Sequence, residues 1–341
     1  MPPAAPRGNT AVFASQWPFP DLLPERRMTD SSSHPAIRRV AIVGAGTIGA
    51  SWAALFLAHG LDVVVSDPAA DAEPQTRARV AAAWPVLTEL GRVTASANPD
   101  ALRFEPDLAT ALQGVDFVQE NAPEREDFKT DLFARIDAIL PPHVIVASSS
   151  SGLIMTRLQA RCRHAGRFVI GHPFNPPHLI PLVEVVGGEQ TSADTIDRCI
   201  AFYRQLGKHP IRLNKEVPGH IANRLQAALW REAIHLAADN VASVADIDAA
   251  VSQGPGLRWA LFGPHMTFNL GGGAGGLAHF MDHLLGPVQT WWDDLGTPDV
   301  TPELQRRLIE GVNAEAGSNS IADLVQTRDA QLTALLKVLQ R

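Results

Sequence analysis

The sequence predicts an α/β fold: an N-terminal, doubly wound, mostly parallel sheet followed by an all-α C-terminal domain. Three observations predict it. Short β-branched runs alternate with helical stretches of roughly 10–15 residues up to about position 215, the mark of βαβ units. A glycine-rich turn joins the first such run to the first helical stretch. Beyond Pro218 only helical periodicity remains.

The elements follow in order from Arg38. "RRVAIVGAG" is a strand ending in glycines, and "TIGASWAALFLAHG" is a helix closed by Gly60. "LDVVVSDP" is a second strand. "ADAEPQTRARVAAAWPVLTELG" is a helix in which Pro85 predicts a break. "LRFEPDLATALQGVDFVQENA" supplies a short strand, a helix and a further strand, "DFKTDLFARIDAILP" an amphipathic helix, and "HVIVASSSS" a strand. "FVIGHPF" and "LVEVVGG" are two more strands, followed by the helix "TSADTIDRCIAFYRQLGK" and a last strand, "HPIRLN". The helical part begins with "PGHIANRLQAALWREAIHLAADN". "GGGAGG" (271–276) has no strand before it, so it reads as a helix–helix loop and not a phosphate cradle. The expected organisation is an extension over 1–35, an α/β domain over 36–215 and a helical domain over 216–341. The extension is rich in Pro, Ser and Ala, lacks periodicity and is expected to be disordered, with Met28 an alternative start to Met1.

Composition narrows the function. The chain has 341 residues and a net charge of −7, which argues against nucleic acid as the main partner. It has no apolar run long enough to span a membrane. Two cysteines, Cys162 and Cys199, suggest neither a disulfide framework nor a thiolate metal site, and fit the cytoplasm.

The glycine turn is G-x-G-x-x-G at Gly44, Gly46 and Gly49, with Asp67 at the end of the next strand. Strand, turn, helix and acid in this order make the Rossmann dinucleotide fingerprint. Gly44 permits the tight turn, Gly46 the approach of the pyrophosphate, and Gly49 close packing. The amides opening the helix, at Thr47, Ile48 and Gly49, face the phosphates. Asp67 accepts hydrogen bonds from the ribose hydroxyls and repels a 2′-phosphate, so NAD is the expected cofactor, with FAD the alternative reading of the fingerprint.

"GHPFNPPHLIPLVE" places His172 at the end of one strand and Glu184 in the next. A strand–loop–strand return can join them, the carboxylate then orienting a general base for alcohol oxidation. A core histidine with its partner is the competing reading. His178, in the same loop, reads as an exposed loop residue.

These stretches, with "QENAPEREDFK", "ASSSSGL" and "EVPGHIANR", resemble the 3-hydroxyacyl-CoA dehydrogenase superfamily from Arg38 onward. The resemblance implies His172 as general acid/base, Glu184 as its partner, Ser151 on the substrate hydroxyl, and Asn223 holding the reacting oxygen. It implies Glu124 and Lys129 near the nicotinamide, and a homodimer through the helical domain. "SSSS" replaces the more usual "SNTS", which leaves the part of Ser149 open. "GLRWALFGPHMTFNLGGGAGGLAHFM" is similar to the branch acting on free 3-hydroxyacids, and implies L-carnitine, oxidised to 3-dehydrocarnitine, as best single substrate. There Arg258 could clamp the carboxylate, with Trp259, Phe262 and Phe268 facing the quaternary ammonium; an ion pair and core aromatics are the plainer readings. L-gulonate, an acyl-CoA ester, or a crystallin-like NAD-binding structural role are the alternatives. Phe280, Trp291 or Trp292 could face that ammonium instead, and His265 receives no role.

Overall fold

The computed structural model describes residues 36–339. The expected N-terminal extension and its alternative start lie outside the described residues. Eight strands form one sheet: β1 (Arg39–Val43), β2 (Asp62–Ser66), β3 (Arg103–Phe104), β4 (Phe117–Glu120), β5 (Ile145–Ser148), β6 (Phe168–Pro173), β7 (Leu182–Gly187) and β8 (His209–Arg212). Their order is β3-β2-β1-β4-β5-β6-β7-β8. The first six run parallel, β7 is antiparallel to β6, and β8 is parallel to β7. The order reverses at β1/β4, where the chain crosses from one side of the sheet to the other. Open α/β sheets bind ligands at such a switch point, beyond the carboxyl ends of the strands.

Helices cover both faces: α1 (Thr47–Ala58), α2 (Ala72–Glu89), α3 (Leu108–Ala111), α4 (Glu126–Ile139), α5 (Met155–Leu158) and α6 (Ala193–Gln205). One apolar layer joins α1, α2 and α6 to the sheet through Trp52, Phe56, Phe117, Phe202 and Tyr203. The other joins α3, α4 and α5 through Phe133, Ile136, Leu158 and Phe168. Ten of the twelve residues of α1 are buried, because it is wedged between the sheet and α2. That explains why its sequence is apolar all round.

Pro85 does not break α2, contrary to the sequence expectation. Pro85 is exposed, and so is Ala81, whose carbonyl loses its helical donor and meets water instead. The one-turn helices α3 and α5 are too short to carry a periodicity.

After β8 every regular element is helical: α7 (Ala222–Ala238), α8 (Val244–Ser252), α9 (Pro255–Trp259), α10 (Pro264–Gly271), α11 (Gly276–Asp294), α12 (Pro302–Ala316) and α13 (Ile321–Leu339). A 3-10 turn at Gly273–Gly275 joins α10 to α11, so the glycine run is a helix connection. α7 starts four residues after Pro218, because Gly219 and His220 take positive φ and form a turn. These helices bury few side chains: Trp230 is 68 % exposed, Trp291 64 % and Trp292 58 %. None of the described helices is long and apolar enough to cross a membrane.

Candidate active site

The glycine turn has the shape a dinucleotide needs. Gly44 has φ +95°, and a Cβ there would lie 2.7 Å from the backbone of Asn121. A Cβ on Gly49 would lie 2.0 Å from the Gly44 carbonyl oxygen, so the helix packs backbone against backbone on the turn. Around Gly46 the space is open, and Gly46 and Thr47 are exposed. No side chain caps α1, leaving its first-turn amides, including those of Thr47 and Ile48, available to a phosphate. Asp67 receives the amides of Ala45 (2.8 Å) and Ala69 (3.0 Å), which aims its carboxylate across the turn. Arg79 reaches the Ala45 carbonyl at 3.4 Å from α2, a guanidinium the sequence reading did not place there. Open helix amides, a backbone-packed turn and an anchored acid fit NAD.

β6 and β7 pair so that His172 and Glu184 stand directly opposite. His172 Nδ1 lies 2.9 Å from Glu184 Oε2, and both side chains are buried. The second carboxylate oxygen accepts the amides of Ile221 (2.8 Å) and Ala222 (3.0 Å) at the start of α7. Burial pushes the Glu184 carboxyl up, but the His172 ring and these two amides outweigh it and hold the group below the ordinary glutamate value. An ionised carboxylate only accepts, so His172 donates to it from Nδ1 and turns Nε2 away from Glu184.

Ser151 and Asn223 meet: Asn223 Nδ2 donates to the Ser151 carbonyl at 3.0 Å. Glu124 holds the same serine loop, its Oε1 accepting from Ser150 Oγ (2.6 Å), Ser151 N (2.9 Å) and Gly152 N (3.0 Å). Lys129 lies beneath this loop, 1 % exposed, with its ammonium 2.7 Å from Glu120 and 3.9 Å from Glu124. Ser149 ties three elements together: it donates to Asn121 (2.7 Å) and accepts from Gln119 (2.9 Å) and Trp52 (3.2 Å).

Several residues escaped sequence reasoning. Glu120, fully buried at the end of β4, accepts Lys129, Ser148 Oγ (2.5 Å) and Ala122 N (2.6 Å). Breaking such a buried pair would leave a bare charge beneath the strand ends. The His220 ring lies 5.2 Å from that of His172, tilted 47° to it, and donates from Nε2 to the Ser150 carbonyl at 3.1 Å. Burial lowers its pKa, which keeps it neutral. Both sit in apolar or turn segments whose polar member has no local pattern to announce it.

His178 is not the exposed loop residue the sequence suggested. It is half-buried; its backbone amide donates to Ser51 Oγ (2.9 Å), which donates back to its ring at 2.8 Å. Burial lowers its pKa to about 4, so it is a neutral tie between the β6–β7 loop and α1. The loop is further held by Lys208, whose buried ammonium donates to the carbonyls of Pro177 (2.6 Å) and Ile180. Arg258 and Trp259 lie on α9 and Phe268 on α10, with Phe262 between them; Phe268 meets Phe280 at 4.9 Å. Among the described residues, no hydrogen bond, ion pair or ring contact ties these four to His172. A ring that does stand beside His172 is Phe174, at 5.6 Å.

The family models for the 3-hydroxyacyl-CoA dehydrogenase NAD-binding domain and C-terminal domain match residues 39–217 and 219–307. The chain is 50% identical over 305 residues to L-carnitine dehydrogenase of Streptomyces coelicolor, covering 89% of this chain and 96% of that one. It is 48% identical over 305 residues to L-carnitine dehydrogenase of Nocardiopsis dassonvillei, covering 89% and 92%. Among solved structures, 5-formyl-3-hydroxy-2-methylpyridine 4-carboxylic acid 5-dehydrogenase, an NAD-dependent dismutase, superposes with a TM-score of 0.78 at 32% identity, covering 89% and 99%.

Proposed function

The chain belongs to the 3-hydroxyacyl-CoA dehydrogenase family, and from that premise we propose that it oxidises the 3-hydroxyl of L-carnitine to 3-dehydrocarnitine with NAD. It is an NAD-dependent oxidoreductase acting on CH–OH. The observation that carries the chemistry is the buried His172–Glu184 pair, on the same sheet as an open dinucleotide turn. The substrate rests on relatives near 50% identity that act on L-carnitine by name; the structural relative, too, is named for a free carboxylic acid.

NAD, bound at the glycine turn, supplies the hydride acceptor for C3. His172 Nε2 takes the hydroxyl proton, and Glu184 stabilises the imidazolium that forms. Ser151, whose hydroxyl makes no hydrogen bond to described residues, and Asn223 hold the reacting oxygen. Glu124 keeps the serine loop in place, and Lys129 acts on it through Glu120 and Glu124 from below. An aromatic face for the trimethylammonium is offered by Phe174, at about 0.5–2 kcal/mol.

The deciding experiment follows NADH absorbance with L-carnitine, D-carnitine, L-gulonate, 3-hydroxybutyrate and 3-hydroxybutyryl-CoA. Turnover of L-carnitine well above the rest is expected; turnover of the CoA ester alone would remove the free-acid assignment. At the cofactor end, Asp67→Ala will raise the KM for NAD by about 10- to 100-fold, since it removes two charge-assisted hydrogen bonds to the ribose. It will also lift NADP turnover relative to NAD. An unchanged NAD KM would take Asp67 out of the ribose site.

The protein works as a cytoplasmic homodimer, as we read it, with the helical segments as the contact. Leu225 (57 % exposed) and Trp230 lie on α7 outside any described core, an apolar exposure that a second copy of the chain covers. Trp230→Asp is expected to halve the mass seen by light scattering. A dimer that survives this change would move the contact elsewhere.

A further inference from the structure

Beside Asn223 a shallow cleft of about 470 Å³ runs along the start of α7 and the turn before it, lined by Gly219, Asn223, Arg224, Ala228 and Arg231 together with Pro218 and Ala227. We propose that this cleft receives the carboxylate of the 3-hydroxyacid, with Arg224 as the residue that binds it and Arg231 as a second cation behind it. The proposal rests on the free-acid reading of the substrate.

Three observations carry it. First, the cleft is cationic. No carboxylate lines it, in a chain of net charge −7. The Arg224 guanidinium has only a long contact to the Pro218 carbonyl (3.4 Å), and Arg231 has no described ion-pair partner. Positions 224, 228 and 231 recur at helical spacing, so both arginines and the small Ala228 share one face, with the Cα atoms of the arginines about 10 Å apart along the axis. Second, one lining residue, Asn223, reaches the reacting centre. Asn223 is tied to Ser151, and Ile221 and Ala222 to Glu184, so the residue next in sequence is held at the same end of the helix. In a 3-hydroxyacid the carboxylate is two bonds from the carbon that reacts, which requires its receptor to be this near. Third, the lining carries no side chain where Gly219 turns beside Arg224 and Asn223. Gly219 has φ +75°, and a Cβ there would lie 3.5 Å from Arg224 Cγ and 3.8 Å from Asn223 Cβ. A planar guanidinium can bind a carboxylate through two parallel N–H···O bonds, and it keeps its charge at any working pH. The charge offered here selects an acid over its uncharged derivatives, a choice that the His172–Glu184 pair cannot make.

The test compares L-carnitine with its amide, L-carnitinamide, in the wild type and in Arg224→Met, Arg224→Lys and Arg231→Met. For Arg224→Met we expect the KM for L-carnitine to rise about 10- to 100-fold, with kcat and the KM for NAD within about threefold. The preference for acid over amide should collapse toward unity, and Arg224→Lys should restore part of it. Arg231→Met should give a smaller shift in the same direction. Equal losses on acid and amide would overturn the proposal. So would an effect confined to 3-hydroxybutyryl-CoA, which would assign the cations to its phosphates. An unchanged KM with a weakened dimer would likewise overturn it, by giving the arginines to the subunit contact. Should the wild type refuse L-carnitine, that substrate assignment fails by itself. The same comparison on 3-hydroxybutyrate and 3-hydroxybutyramide then tests the cleft.

Discussion

Replacing His172 with alanine is expected to lower kcat for L-carnitine by about 10²- to 10⁴-fold, the usual worth of a positioned general base. The KM for NAD should stay within a few-fold, because the imidazole is on β6 and the glycine turn follows β1. Stopped-flow NADH formation separates the two: chemistry slows while NADH binding, read by fluorescence, is kept. The loss should be smaller at high pH, where the hydroxyl proton can leave to solvent hydroxide without help. An unchanged rate at neutral pH would return His172 to the reading of a buried histidine with a partner.

Glu184→Gln is expected to do comparable damage by a different route, about 10³- to 10⁴-fold in kcat, by inverting the imidazole as the equivalent change does in other oriented histidine bases. The glutamine oxygen still accepts the amides of Ile221 and Ala222, so its NH₂ faces His172 Nδ1. Nδ1 must then accept, the ring proton moves to Nε2, and the base is lost. The pH dependence gives a second readout. The folded-state pKa of Glu184 is lowered, so its stabilising contribution is complete above the ordinary glutamate value near 4.3. It is lost only as pH falls through the lower folded value. Wild-type thermal stability should therefore decline in that acid window by a component the Gln variant lacks. Identical acid limbs in the two proteins would separate Glu184 from the docking of α7.

The fingerprint was legible because its demands are local. Gly44, Gly46 and Gly49 answer one turn, and Asp67 ends the next strand of the same βαβ unit. His172 and Glu184 were legible as candidates because twelve residues suffice for one strand to return beside another. The register that sets them opposite each other is a property of the β6–β7 ladder. Polar residues that work across long separations were not legible. Glu120 meets Ser148 across the sheet, Tyr203 donates to Gln119 at 2.7 Å, and Lys208 caps the His172 loop from beyond α6. In each case the partner lies too far along the chain for local pattern to reveal it. Pro85 and His178 misled for the converse reason: a proline is tolerated where the freed carbonyl meets water, and a loop histidine is buried when another element covers it.

The sequence by itself determined the fold class, the cofactor and the type of reaction, because strand–helix alternation, a glycine turn and a His–Glu spacing are written within short stretches of chain. Only the tertiary structure decided which nitrogen of His172 meets Glu184, that Glu120 accepts Ser148 Oγ, and that Asn223 reaches the Ser151 carbonyl. Those facts depend on distances between residues far apart in the chain. Packing and hydrogen bonding settle such distances, and local preference does not.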